Sequence, residues 1–202
     1  MSDSTSEDYR RIVQICIEQS IRVKQDLQTQ SAAIAQVADV LVRVYRDGKK
    51  ALLFGNGGSA SDAQHIAAEL VGRYYIDRRA LPAEALTVNT SSLTAIANDY
   101  SFDQVFSRQI EAFGNSGDVA IGISTSGNSR NVVEGVQAAK RKEMVTIGLT
   151  GESGGHLKAI TDYCICVPSK DTPRIQEAHI MIGHIWSELL ERALFPQGQK
   201  KT

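Results

Sequence analysis

From Lys50 onward the chain alternates short apolar runs with stretches of helical spacing, and no other feature narrows the possible folds as far. The runs are Ala51–Phe54, Ala85–Val88, Val119–Ile123, Val145–Leu149 and Tyr163–Val167. Strands that recur between helices build parallel βαβ units, because a parallel neighbour is reached only through a crossover, and such a sheet must be covered on both faces. The expected fold is therefore α/β, a doubly wound five-stranded parallel sheet. A closing helix is expected from about Pro173 to Leu194. Asp171-Thr172-Pro173 offers an N-cap and a first-turn proline, and Pro196 stops the helix.

The first fifty residues read differently. Ile12, Ile15, Ile21 and Val23, then Ile34, Val37, Leu41 and Val44, recur at helical spacings. Asp47-Gly48 closes the run. Residues 1–48 are thus a helical extension of a single domain spanning 1–202. Such a preface has no place inside an α/β core, so its apolar face packs against the body or against a second subunit, and both readings stand.

Charge excludes one class of ligand. The chain of 202 residues has 22 Lys and Arg against 23 Asp and Glu, a formal net charge of −1. Nucleic-acid binding needs a basic stripe that releases counterions, and no dense basic block precedes the tail pair Lys200 and Lys201. No direct nucleic-acid partner is expected. No apolar run approaches the roughly 20 residues of a membrane-spanning helix, and Met1–Asp8 is polar and acidic rather than a secretory leader, so no membrane association and a cytoplasmic location are expected. Cys16, Cys164 and Cys166 are too few for a disulfide framework. Cys164 and Cys166 share one face of a strand, and without a second cysteine pair they read as small apolar core residues rather than metal ligands.

In an open parallel sheet, ligands bind beyond the carboxyl ends of the strands, near helix N-termini. Gly55-Asn56-Gly57-Gly58-Ser59-Ala60-Ser61-Asp62 follows the first strand. Its glycines permit tight turning and close backbone approach, but it has neither the Lys-Ser or Lys-Thr of a Walker loop nor the spacing of a dinucleotide fingerprint. Ser124-Thr125-Ser126-Gly127-Asn128-Ser129 follows the third strand and leads into a helix beginning near Asn131. Hydroxyls, a glycine and a helix N-terminus can cradle a phosphate without positive charge. The competing reading of the same segment is a hydroxyl-rich cap and turn.

Gly-Asn-Gly-Gly-Ser after the first strand, Ala-Asn-Asp at 97–99, Ile-Ser-Thr-Ser-Gly-Asn-Ser at 123–129, Leu-Thr-Gly at 149–151 and Arg-Ile-Gln-Glu-Ala-His at 174–179 together resemble the phosphoheptose isomerases of the sugar isomerase (SIS) fold family. The resemblance runs in order along nearly the whole chain. It implies conversion of sedoheptulose 7-phosphate into glycero-manno-heptose 7-phosphate, early in the synthesis of lipopolysaccharide heptose. It also implies a homotetramer with interfacial active sites and a divalent metal, usually zinc. Substrate contacts are implied at Asn56, Gly57, Gly58, Glu69, Asn98, Asp99, Ser124, Thr125, Ser126, Ser129 and Gln176, and metal ligands at His65, Glu69, Gln176 and His184. By the same resemblance Glu69 is the base and His184 the acid.

Physically, His65 and Glu69 are one helical turn apart and can converge on one ion, although a chance surface pair has the same spacing. Gln176 and His184 are eight apart, about 12 Å along a helix, so their site is either stretched across one chain or completed by a second subunit. The interfacial arrangement fits the implied tetramer. His179 and His156 match no implied ligand and read as packing or surface histidines. A non-catalytic relative of the same fold, which binds the bacterial replication initiator, shares Leu93–Asp99, Gly127–Arg130 and Leu194-Phe-Pro. It lacks the Glu and the second His that Glu69 and His184 supply here. An isomerase of another phosphosugar is the remaining alternative.

Overall fold

The computed structural model describes residues 3–198, with side chains from Glu7 onward. Met1, Ser2 and the basic pair Lys200 and Lys201 lie outside the described residues. The extension is formed by two helices, α1 (Asp3–Leu27) and α2 (Ser31–Arg46), joined by a 3-10 turn at Gln28–Gln30. After it come β1 (Ala51–Gly55), α3 (Gly58–Val71), β2 (Ala83–Ala85), α4 (Thr90–Asp99), α5 (Ser107–Phe113), β3 (Val119–Ile123) and α6 (Arg130–Arg141). β4 (Val145–Thr150), α7 (Gly155–Ile160), β5 (Tyr163–Cys166) and α8 (Thr172–Leu194) complete it.

All the strands pair in parallel, in the order β2-β1-β3-β4-β5. The expected doubly wound five-stranded sheet is what forms. Strand side chains alternate between its faces. Ala51 and Leu53 enter a core with α2, α3 and α8, built around Trp186, Leu41 and Leu70. Leu52 and Phe54 enter a second core with α5 and α6, including Phe106, Ile110 and Val136. Burying each of these large side chains contributes about 1.5–3 kcal/mol. Phe54 fixes how closely α6 approaches, since a Cβ on Gly135 would lie 2.7 Å from its ring.

Two expectations need correction. The second strand is Ala83–Ala85, not Ala85–Val88. Its register is set by pairing to β1, with Ala83 opposite Ala51 and Ala85 opposite Leu53, and the chain then turns so that Val88 is half exposed. An edge strand is bonded on one side only, so apolar content is a poor guide to where it ends. Cys164 and Cys166 are half-buried rather than in the core, because β5 is the opposite edge and its cysteine face is only partly covered. The side chain of Gln30 accepts from the Cys166 N–H and donates to its carbonyl, substituting for a further strand. The extension's apolar residues divide. Val37, Leu41 and Val44 are buried, whereas Ile12, Val13, Ile17 and Ile21 are 50–56% exposed.

Candidate active site

The strand order reverses between β1 and β3, so the crevice beyond their carboxyl ends is the switch point where this class of sheet binds ligands. Both polar segments emerge there. Gly57 has φ +57°, a conformation that favours glycine, and carries the chain into α3. Gly58 permits a close approach: a Cβ there would lie 2.5 Å from Gln176 Nε2, so the Gln176 side chain rests on the start of α3. Across the crevice Ser124 Oγ lies 3.0 Å from Ser129 Oγ and 3.4 Å from Ser126 Oγ, just before α6 begins at Arg130. The hydroxyls therefore converge. No cap hydrogen bond from the Ser129 side chain is formed, so the Ser129 hydroxyl is directed to this cluster rather than spent on a helix cap. Gly127, at φ +68°, packs against Gly154, where a Cβ would meet the Gly154 carbonyl oxygen at 2.1 Å.

The two segments are tied by a reciprocal amide pair. Asn56 Nδ2 donates to Asn131 Oδ1 and Asn131 Nδ2 donates to Asn56 Oδ1, both at 2.8 Å, with Asn131 buried. No spacing pattern marks Asn131 as part of the site. Thr125 is half-buried beside a cleft of about 350 Å³ that Ser126, Glu152 and Lys170 also line. Asn98 and Asp99 are exposed at the end of α4, where Asn98 Nδ2 donates to Asp99 Oδ1 at 2.8 Å.

His65, Glu69 and His184 meet within one chain, their ligand atoms all within 4.8 Å of one another. His65 Nε2 is 3.2 Å from Glu69 Oε1 and 3.3 Å from His184 Nε2. α3 and α8 pack against each other, which removes the geometric reason to assign His184 to another subunit's site. Gln176 lies against Gly58, two helical turns before His65, and so approaches from the other end of α3. The distances test a metal directly. Zinc bonds to nitrogen or oxygen of about 2.0–2.1 Å at a tetrahedral angle place neighbouring ligand atoms about 3.3 Å apart. The His–His and His–Glu separations match that spacing, so His65, Glu69 and His184 fit the implied ion, whereas Gln176 lies apart from them.

The surrounding groups were not visible to spacing arguments. Tyr74 stacks on the His184 ring at 5.6 Å and 25°. Its loop is held by the buried Glu191 carboxylate, which accepts from the N–H groups of Tyr74, Tyr75 and Ile76 at 2.8, 2.8 and 3.0 Å and from Arg78 Nε at 3.0 Å. Asp62, one turn before His65, is pushed up to about 6 by burial, partly opposed by His65. His179 is fully buried, with Nε2 at 3.1 Å from the Thr150 carbonyl oxygen, and His156 is exposed. The packing and surface readings of these two hold.

The sequence profile of the SIS domain matches residues 17–151. The chain belongs to the SIS domain family. Within it the relatives are specific: a phosphoheptose isomerase of Aneurinibacillus thermoaerophilus is 53% identical over 182 residues, covering 89% of this chain and 92% of that protein. The solved phosphoheptose isomerase of Neisseria gonorrhoeae superposes with a TM-score of 0.86 at 44% identity, covering 91% of this chain and 98% of that one. That of Francisella tularensis gives 0.88 at 36% identity, with the same coverage of 91% and 98%. The chain is thus one of the phosphoheptose isomerases.

Proposed function

We propose that this chain interconverts sedoheptulose 7-phosphate and D-glycero-D-manno-heptose 7-phosphate through an enediol, an early step toward ADP-heptose and the lipopolysaccharide core. The observation that carries this reading is the convergence of His65, Glu69 and His184, with ligand atoms within 4.8 Å of one another, in a chain that also presents a hydroxyl cluster beyond the carboxyl end of β3. A phosphate is held by Ser124, Thr125, Ser126 and Ser129 and by the N-terminus of α6, which bears the positive end of the helix dipole. Asn56, Gly57, Gly58, Asn98, Asp99 and Gln176 contact the sugar.

Glu69 takes a proton from C1 while His184 gives one to the C2 carbonyl oxygen, producing the enediol. Glu69 then returns its proton to C2 as His184 removes one from the C1 oxygen, so no proton is gained or lost. Carboxylate and imidazole suit this exchange because both are tunable toward neutral pH. His65, Glu69 and His184 would hold a divalent metal, joined by Gln176 if its side chain swings from Gly58 toward them; zinc suits the donor types and when bound would supply Lewis-acid polarisation of the sugar oxygens. Glu69 would have to be free of the metal to act as base.

A cytoplasmic homotetramer with interfacial active sites completes the reading. Its support is the exposed apolar surface of α1 and the absence, among the described residues, of any helix long and apolar enough to cross a membrane. The test is a coupled assay with sedoheptulose 7-phosphate in zinc-replete buffer, with an arabinose phosphate and a hexulose phosphate as comparators. Turnover with kcat/KM highest on the heptulose is expected. No turnover on any of them favours the replication-initiator adaptor, and preference for a comparator reassigns the substrate.

A further inference from the structure

Cys164 and Cys166 are used by nothing described above. They lie on one face of the edge strand β5, with Sγ atoms 3.8 Å apart, each half-buried and unoxidised. Thr150 Oγ1 is 3.8 Å from Cys164 Sγ, and Gly154 lies against Cys166, where an added Cβ would be 3.1 Å from its sulfur. We propose that this sulfur pair is a binding site for a soft, thiophilic cation, with Cu(I) its preferred ion.

A disulfide is the obvious competitor, and the strand opposes it. Alternate residues of a strand are about 6.6 Å apart, whereas a disulfide needs Cβ atoms about 3.5–4.5 Å apart. Closing the bond would pull Cys164 and Cys166 out of register with Gly148 and Thr150 and break both hydrogen bonds to Gln30. A bridging ion asks for no such movement. Two metal–sulfur bonds of about 2.3 Å meeting at the roughly 110–120° of a tetrahedral or trigonal ion put their sulfurs about 3.8–4.0 Å apart, a range that includes the separation found.

The donor set selects the ion. Structural zinc takes four ligands, and no histidine or carboxylate joins the two sulfurs among the described residues. Three-coordinate Cu(I) needs only one donor beyond the two thiolates, and the half-buried pair leaves that position to a soft ligand from solvent. Capture would proceed by coordination, with release of both thiol protons to solvent and no change of oxidation state.

The test is an anaerobic titration of the full chain against Cu(I) held by bicinchoninate, whose colour reports the ion withdrawn. Wild type and Cys16→Ser are expected to withdraw one equivalent per chain, and Cys164→Ser and Cys166→Ser none. Circular dichroism confirms that each variant is folded, and turnover on sedoheptulose 7-phosphate should stay near wild type in the copper-free variants. Failure of wild type to withdraw copper, equal withdrawal by all variants, or loss in only one of the two overturns the site. So does a Cys164–Cys166 disulfide found by peptide mapping after mild peroxide treatment.

Discussion

Glu69 and His179 show how far one residue's environment sets its task. Glu69 is half-buried within reach of His65, and the proposed mechanism asks it to exchange a ligand's role for a base's. Glu69→Gln keeps shape and a carbonyl donor but cannot accept the proton. Turnover is expected to fall about 10²- to 10⁴-fold. Near-wild-type turnover with zinc content unchanged by elemental analysis would remove Glu69 as base. His179 has the opposite character. Burial holds it down to about 4, against an ordinary value near 6.5, while the bond to Thr150 partly restores it. Between those values the unfolded chain binds the proton and the folded chain does not, so stability is fully present above pH 6.5 and declines as pH falls toward 4. The full excursion is worth roughly 3 kcal/mol. His179→Gln lacks the titration, so denaturant midpoints of wild type and variant are expected to differ less at pH 4.5 than at pH 7.5; parallel pH profiles would contradict this. The histidines' identities were legible as letters. Their fates, one in a cluster and another in the core, depend on what packs beside each.

At the scale of elements, the loop between α3 and β2 illustrates tertiary control of a site. Residues 72–82 have little regular structure, yet Glu191 on α8 gathers three of their backbone N–H groups and Arg78, with both charged side chains almost fully buried. The loop then carries Tyr74 onto His184. Breaking a buried pair by removing one charge costs about 3–5 kcal/mol, because the remaining charge is left uncompensated. Glu191→Gln is expected to lose stability on this scale in urea unfolding and to lower kcat as Tyr74 loses its seat. A loss within the range of surface substitutions would show that the carboxylate does not organise the loop. Strand positions were legible where both faces are covered, as in β1 and β3, since a run buried on both sides must be apolar throughout. The edge strand β2 begins two residues and ends three residues before the apolar run that suggested it, because hydrogen-bond register rather than burial defines it.

For the whole molecule, α1 is the feature the single chain leaves unfinished. Its C-terminal part rests on α8, with Arg174 donating to the Cys16 carbonyl, while Ile12, Val13, Ile17 and Ile21 remain exposed. Replacing Ile12, Ile17 and Ile21 together by Glu is expected to reduce the assembly mass in sedimentation while leaving helix content unchanged. Retention of a tetramer's mass would exclude α1 from the interface. Periodicity, turn residues and apolar runs determined the α/β class, the five strands and the segments bearing the glycine loop and the hydroxyl cluster, because these depend on local spacing and on which faces must be covered. The sequence also placed His65 and Glu69 on one helical face. Only the tertiary structure brought His184 to them from 119 residues away, paired Asn56 with Asn131, and left the two cysteines at a sheet edge instead of in the core. Contacts between distant segments follow from how α3 and α8 pack and from which strand is last in the sheet, and no periodicity records either.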